Sequence, residues 1–312
     1  MSAPLLAIVG PTAVGKSAVA LALCERLGGE IVNADALQVY RGFDVGTAKP
    51  TPEERRRVPH HLIDILDPTE RYSAGRFAGL AEAALAGIHS RGAVPILVGG
   101  SGLYLRALLE GIAPMPAADA TVRERLRERA ESEGLAALQR ELVDLDPPTA
   151  ARLGAGDRQR ILRALEVALS TGRPLSSWIA QRPFGERRLA ATRVGLTLSR
   201  RVLYDRIAVR VCRMKDDGLE EEVRRLLESG VPPEAPAFQA IGYRQFAQAV
   251  LGLWTSDRAV AETILATRRF AKRQQTWFRA ERDIVWFDAA VPASVPDEVM
   301  THLRGSDFGR DR

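Results

Sequence analysis

Cysteine is nearly missing from this 312-residue chain: Cys24 and Cys212 are the only two, with no CxxC pair and no Cys/His cluster. That excludes a disulfide framework and gives no support to a zinc site. Cys24 lies on an apolar stretch and reads as packing. Of the four histidines, His60 and His61 are adjacent but stand in no metal-ligand spacing. Lysine is scarce as well, restricted to Lys16, Lys49, Lys215 and Lys272, so arginine carries most of the positive charge. GC-rich codons alone would produce that bias. No apolar run approaches the roughly 18 residues of a membrane span, and the start, MSAPLLAIVG, lacks the basic flank of a secretory signal. These absences predict a cytoplasmic protein with no membrane association. Internal repeats and low-complexity tracts are also missing, and the tail after Asp307 has the polar composition of a frayed end.

The hydrophobic content is 46%, enough at this length to bury one α/β core and leave residues for a second, smaller unit. Up to about Gly111 the chain alternates strand and helix in a doubly wound pattern, with strands expected at 5–9, 30–35 and 94–100. Ala113-Pro114-Met115-Pro116 is a rigid break. From 121 to 171 the periodicity is helical without strands, until Gly172-Arg173-Pro174 stops it. A β-rich stretch at 192–198 returns to the sheet, and helices are expected at 202–229, 243–253 and 257–281. The expected fold is therefore an α/β, P-loop NTPase-like parallel sheet core flanked by helices. Residues 1–115 and 192–312 form the core with its C-terminal helices, and 116–191 form a helical insertion domain.

Residues Gly10-Pro11-Thr12-Ala13-Val14-Gly15-Lys16-Ser17 are a complete GxxxxGK[ST] loop between the first strand and a helix-like stretch. The glycines let successive backbone N–H groups turn inward on an anionic oxygen cluster, and the helix N-terminus adds its positive end. Lys16 then neutralises phosphate charge, and the Ser17 hydroxyl ligates magnesium. An ordinary nucleotide hydrolase also needs a strand ending in a magnesium-holding carboxylate. The strand at 94–100 instead runs into Gly99-Gly100-Ser101, which weighs against hydrolysis. In an open parallel sheet the loops beyond the strand carboxyl ends share one crevice, so Asp35, Ser101 and the P-loop are expected to converge there. An acid beside a phosphate site suggests a base for a nucleophile.

The net charge is +5 and the pI about 9.5, which suits an acidic partner. Between Arg268 and Arg282, six basic residues (Arg268, Arg269, Lys272, Arg273, Arg279, Arg282) face one acid, Glu281, and are interleaved with Phe270, Trp277 and Phe278. Such a stripe fits a nucleic-acid backbone and its bases, or a solvated helix whose aromatics belong to the core. Arg206, Arg210 and Arg213 recur on one helix face, as a solvated surface or an anion clamp; the spacing does not choose between them.

Taken together, these blocks resemble the tRNA dimethylallyltransferases (tRNA isopentenyltransferases, the IPP transferase family), of bacterial type. The resemblance runs from GPTAVGKS through NADALQVYRGFDVGTAKP, ILVGGSGLYLRALLEG, DRQRILRALEV, the Arg206 helix and AIGYRQ to AKRQQTWFR. It implies transfer of the dimethylallyl group of dimethylallyl diphosphate to N6 of adenosine at position 37, in tRNAs reading codons that begin with U. Magnesium is implied as cofactor. The P-loop, similar to an ATP-binding kinase loop, holds a diphosphate leaving group instead of hydrolysing a nucleotide. The resemblance implies Asp35 as general base, with Lys16, Ser101 and Arg210 completing the catalytic set and Arg206 beside the Arg210 clamp. Ser101 stands where most members have Thr, with the hydroxyl kept. The base is flipped into a channel. Contacts to tRNA are implied at Asp35, Ala36, Leu37 and Gln38, at Ser101 and Arg123, at Gln159-Arg160-Ile161-Leu162-Arg163, and at Ala240-Ile241-Gly242-Tyr243-Arg244-Gln245. The chain carries no C-terminal Cys/His module of the eukaryotic kind, and a monomer is expected. Two other classes share parts of the pattern: a P-loop small-molecule or nucleoside kinase, and a non-catalytic RNA-binding P-loop protein.

Overall fold

The apolar run Leu6–Val9 is buried along its whole length, the pattern of a strand covered on both faces of a parallel sheet. In the computed structural model, which describes residues 4–113, 119–181, 189–281, 283–305 and Phe308, this run is β1 of a six-stranded sheet. The others are β2 (Gly29–Asn33), β3 (His60–His61), β4 (Val94–Gly99), β5 (Thr192–Thr197) and β6 (Ile284–Asp288). All pairs are parallel and the order is β3-β2-β4-β1-β5-β6. Val9 stands opposite Gly99 on one side and Gly195 on the other, so β1 ends in the middle of the sheet. The loops after β1, β2 and β4 open at one edge, where a doubly wound sheet binds ligands.

Each expected strand forms within two residues of its forecast limits. β2 stops at Asn33, so Asp35 lies in the loop beyond it. Two strands escape a sequence reading. β3 has two residues, too few to show alternation. β6 follows directly on a long helix and is a half-exposed edge strand. The helix expected over 202–229 is two helices, Arg200–Asp216 and Leu219–Glu228, because Gly218 takes φ 92° and turns the chain. The turn carries Leu219 and Val223 into an aromatic cluster of Phe43, Phe238, Tyr243 and Phe246. Behind the P-loop, the Lys16–Leu27 helix buries Val19, Leu23 and Cys24 against the sheet.

The chain divides into two compact units, Met1–Leu109 with Leu189–Arg312, and Glu110–Arg188. The sheet lies in the first. Among its described residues, the second is all helical, with segments Ala120–Ser132, Leu135–Leu145, Pro147–Ala150, Arg158–Thr171 and Leu175–Gln181. Its own core gathers Leu126, Leu138, Leu142, Ile161 and Leu165. Asp119 and Asp157 cap two of its helices through their carboxylates. The break at Pro114-Met115-Pro116, Arg282, and the tail beyond Asp307 apart from Phe308 lie outside the described residues. Among the described residues no helix is long and apolar enough to cross a membrane.

Candidate active site

Beyond β1 the backbone enters conformations that few side chains tolerate. Gly10 takes φ 141°, and a Cβ there would sit 2.6 Å from the Leu196 carbonyl oxygen. Gly15, at φ 106°, opens the helix at Lys16. The half-buried Lys16 Nζ donates to the carbonyls of Gly10 (3.0 Å) and Pro11 (2.8 Å). Crowding strips water from the ammonium and pushes its pKa down to about 8; Asp35 opposes this shift and Arg210 adds to it. Arg210 Nη1 lies 3.4 Å from the Thr12 hydroxyl. Burial lowers the Arg210 pKa, with Asp35 opposing. Arg206 supports the loop, donating to the carbonyls of Val14 (3.5 Å) and Ala289 (3.2 Å).

A cavity of about 320 Å³ opens here, with Thr12, Lys16, Ser17, Asp35, Gln38 and Arg210 on its wall. Ala13, Gly15, Val98, Gly99 and a second acid, Glu54, are among the other residues that line it. Asp35 is aimed by an Asx turn: its Oδ1 accepts from the Leu37 N–H at 2.9 Å, and its own N–H donates to Asn33 Oδ1 at 3.2 Å. Among the described residues its second carboxylate oxygen has no hydrogen bond. Gln38 Nε2 donates to the carbonyls of Thr47 (3.1 Å) and Ala48 (3.2 Å), which leaves the amide oxygen for a ligand. Gly10, Pro11, Val14, Ala36, Leu37, Ser101 and Arg206 do not line the cavity. Ser101 stands at the start of the Gly102–Leu109 helix, its carbonyl accepting from Tyr104 and Leu105.

The loop between Tyr40 and Pro50 is held at many points. Lys49, whose side chain is 2% exposed, reaches the Tyr40 carbonyl, Asp44 and Asp64. Glu222 accepts from the Asp44 N–H (3.1 Å), the Val45 N–H (3.0 Å) and the Tyr243 hydroxyl. The Gly46 N–H donates to the same hydroxyl at 3.1 Å. Gln274 is the other fastening. Its Oε1 accepts from the Thr12 N–H at 2.8 Å, and its Nε2 donates to the Gly100 carbonyl at 3.0 Å. Neither Glu222 nor Gln274 was singled out from the sequence. Gln274 stands inside the KRQQTW run, which the sequence marks as a block of the family resemblance and as part of a basic stripe without assigning this glutamine a role.

The residues expected on an RNA surface divide by burial. In the helical unit Gln159 and Arg160 are exposed, whereas Ile161 and Leu162 are packed in its core. Arg123 and Arg163 both pair with Glu166 at 2.7 Å, the Glu166 side chain being 1% exposed. In the other unit Arg244 is exposed and Ile241 partly so, while Ala240, Gly242, Tyr243 and Gln245 are buried. At Ile161, Leu162, Ala240, Tyr243 and Gln245 the side chains are buried in packing, which leaves only their main chain or their neighbours to meet an RNA. The helix Ser256–Arg279 presents Arg269, Lys272, Arg273 and Arg279 to solvent, with no acid paired to any of them among the described residues. A shallow cavity of about 460 Å³ is lined by Arg269, Lys272, Arg273, Thr276 and Trp277. Arg268 instead turns inward, its guanidinium 5.1 Å from the Tyr204 ring centre, and Phe278 is core.

The chain as a whole matches known proteins. The pattern of the IPP transferase family matches residues 38–281, and that of isopentenyl transferases matches 3–64. The tRNA dimethylallyltransferase of Geobacter metallireducens is 49% identical over 284 residues, covering 91% of this chain and 92% of the relative. That of Halorhodospira halophila is 51% identical over 293 residues, covering 93% and 94%. The solved tRNA isopentenylpyrophosphate transferase of Bacillus halodurans matches with a TM-score of 0.72 at 39% identity, covering 97% of this chain and 96% of the other. A eukaryotic dimethylallyltransferase captured acting on tRNA matches with a TM-score of 0.81 at 26% identity, covering 100% of this chain and 80% of the other.

Proposed function

The chain belongs to the tRNA dimethylallyltransferase (IPP transferase) family, and on that premise we propose that it is a prenyltransferase acting on tRNA. It moves the dimethylallyl group of dimethylallyl diphosphate to N6 of adenosine at position 37, in tRNAs reading codons that begin with U. The observation that carries this reading is the single cavity on which a phosphate cradle, Lys16 with Ser17 and Arg210, faces the carboxylate of Asp35. A nucleotide hydrolase would place a metal-binding acid at the end of β4, where this chain has Gly99 and Gly100.

The chemistry follows from those groups. Adenine N6 is a weak nucleophile because its lone pair is delocalised into the ring. Its bond to the allylic carbon forms as the bond from that carbon to the diphosphate oxygen breaks. Asp35, with one oxygen held by Leu37 and the other unbonded, accepts the N6 proton. Lys16, Arg210 and the loop N–H groups take up the charge gathering on the departing diphosphate. Among the described residues no three acidic, His or Cys side chains cluster as a metal cage. That donor set fits magnesium, which commonly uses one or two protein ligands and the phosphates of its substrate, here with the Ser17 hydroxyl. When bound, it supplies further charge neutralisation for the leaving group. Gln38 offers its amide oxygen to the adenine edge. The exposed Gln159, Arg160 and Arg244, together with the Arg269–Arg279 face, supply backbone contacts to tRNA. The enzyme works as a cytoplasmic monomer.

The test is mass spectrometry of an anticodon stem-loop with adenosines at 36 to 38, incubated with the protein, dimethylallyl diphosphate and magnesium. The expected result is a gain of one C5H8 unit that disappears when the central adenosine is replaced. No gain on this RNA or on full-length tRNA, with ATP consumed on a small alcohol, would make the protein a kinase.

A further inference from the structure

We infer that Gln274 is a positioning residue of the transfer reaction, its one amide group setting the P-loop against the Gly100 turn. The inference rests on the proposed reaction. Gln274 is 7% exposed and lies on the Ser256–Arg279 helix, far in sequence from both loops it holds. Its oxygen takes the Thr12 N–H and its nitrogen gives a hydrogen to the Gly100 carbonyl. The two loops leave the neighbouring strands β1 and β4, so one planar side chain fixes their separation at the mouth of the crevice.

What stands next to each end gives the tie its meaning. Thr12 lines the cavity, and its hydroxyl faces Arg210. Gln274 and Arg210 thus grip the same residue, one by its main chain and one by its side chain. Gly100 precedes Ser101, the hydroxyl expected near the adenosine. The approach is close: a Cβ on Gly100 would collide with the Gln274 amide, and one on Gly102 would collide with the Trp277 indole, one helical turn further on. The turn is glycine on both sides of Ser101 because the helix presses directly on its backbone. Glutamine is suited to the position because it offers an acceptor and a donor in one plane. A carboxylate keeps the acceptor and loses the donor. Leucine, one carbon shorter, offers neither.

This asymmetry makes the inference testable end by end. In the full chain, Gln274→Leu is expected to lower kcat/KM for dimethylallyl diphosphate by roughly 100-fold, the scale of a small misplacement of reacting groups. It should also weaken binding of inorganic diphosphate with magnesium, measured by calorimetry, while anticodon stem-loop affinity stays as in the wild type. Gln274→Glu is expected to restore diphosphate binding and the KM for dimethylallyl diphosphate, because the Thr12 N–H keeps its acceptor. Its kcat should stay low, because the Gly100 turn is released. A purely structural residue would shift the thermal midpoint in both variants without this split between KM and kcat. Wild-type kcat and KM in either folded variant would overturn the inference. Loss of folding in both would overturn it too, by assigning Gln274 to the core. Calorimetry with diphosphate reads the tie without prenyl transfer, so a wild-type protein that transfers nothing would refute the reaction and not the tie.

Discussion

In the proposed reaction Asp35 depends on how its carboxylate is held. Because β2 ends at Asn33, the chain turns before reaching the acid, the Leu37 N–H takes one carboxylate oxygen, and Asp35 lines the cavity. Replacing Asp35 by Asn should cost roughly 10² to 10⁴ in turnover, the usual worth of a positioned base, with tRNA affinity unchanged. Normal turnover in single-turnover assays would remove Asp35 from the mechanism. Lys16 sets a pH limit. In the proposed reaction its ammonium is the form that would hold phosphate, and with its pKa pushed down to about 8 that form is lost as pH rises through that value. In the free enzyme, kcat/KM for dimethylallyl diphosphate should therefore fall roughly tenfold per pH unit above about pH 8, and Lys16→Arg should flatten the profile. A flat wild-type profile up to about pH 9 would show that Lys16 is not titrating there. The acid and the lysine were both legible in the sequence, because motif spacing places them. The packing role of Tyr243 was not. It falls in the 240–245 block expected on RNA, yet its ring fills the cluster with Phe43 and Phe238 and its hydroxyl serves Glu222. Only the folded chain brings residues so far apart together.

Among the helices, the difference between holding the fold and holding RNA is written in the arginines of the helical unit. Arg123 and Arg163 are spent on Glu166, an acid sealed from water, whereas Arg160 is 71% exposed. Glu166→Ala should destabilise this unit by about 2–3 kcal/mol in denaturant unfolding, toward the lower end for a broken buried pair because both arginines keep partial access to water. Arg160→Ala should leave stability alone and reduce the salt slope of tRNA binding by about one. An unchanged slope would mean that Arg160 touches no phosphate. Arg123→Ala should behave like Glu166→Ala in unfolding, so a salt slope measured on it would mix two effects. Helix existence was readable from periodicity. The break at Gly218 was missed although the sequence carries it: the apolar spacing slips by five residues from Met214 to Leu219 across Asp216-Asp217-Gly218, and Gly218 with φ 92° redirects the chain there.

Across the whole molecule, four of six strands and the position of the P-loop could be read from the chain, since each of these strands carries a buried apolar run or segment at its centre. β3 and β6 could not, one being too short to show a pattern and the other only half-buried at the edge. The same layout governs when the site can exist. β1 and its loop are among the first parts of the chain to be made, but their partners β4 and β5 come later, and the Gln274 amide that holds Thr12 is 262 residues away. At translation rates of 5–20 residues per second, that gap lasts roughly 13 to 50 s. During that interval the emerging chain carries a phosphate loop with no brace. Ribosome-stalled chains halted before Gln274 should bind diphosphate far more weakly than those halted after its helix has cleared the exit tunnel. Filter binding on such stalled complexes would decide it. On that outcome, a catalyst that acts on tRNA, and is itself made beside many of them, would gain its braced phosphate loop only when its own synthesis is nearly complete.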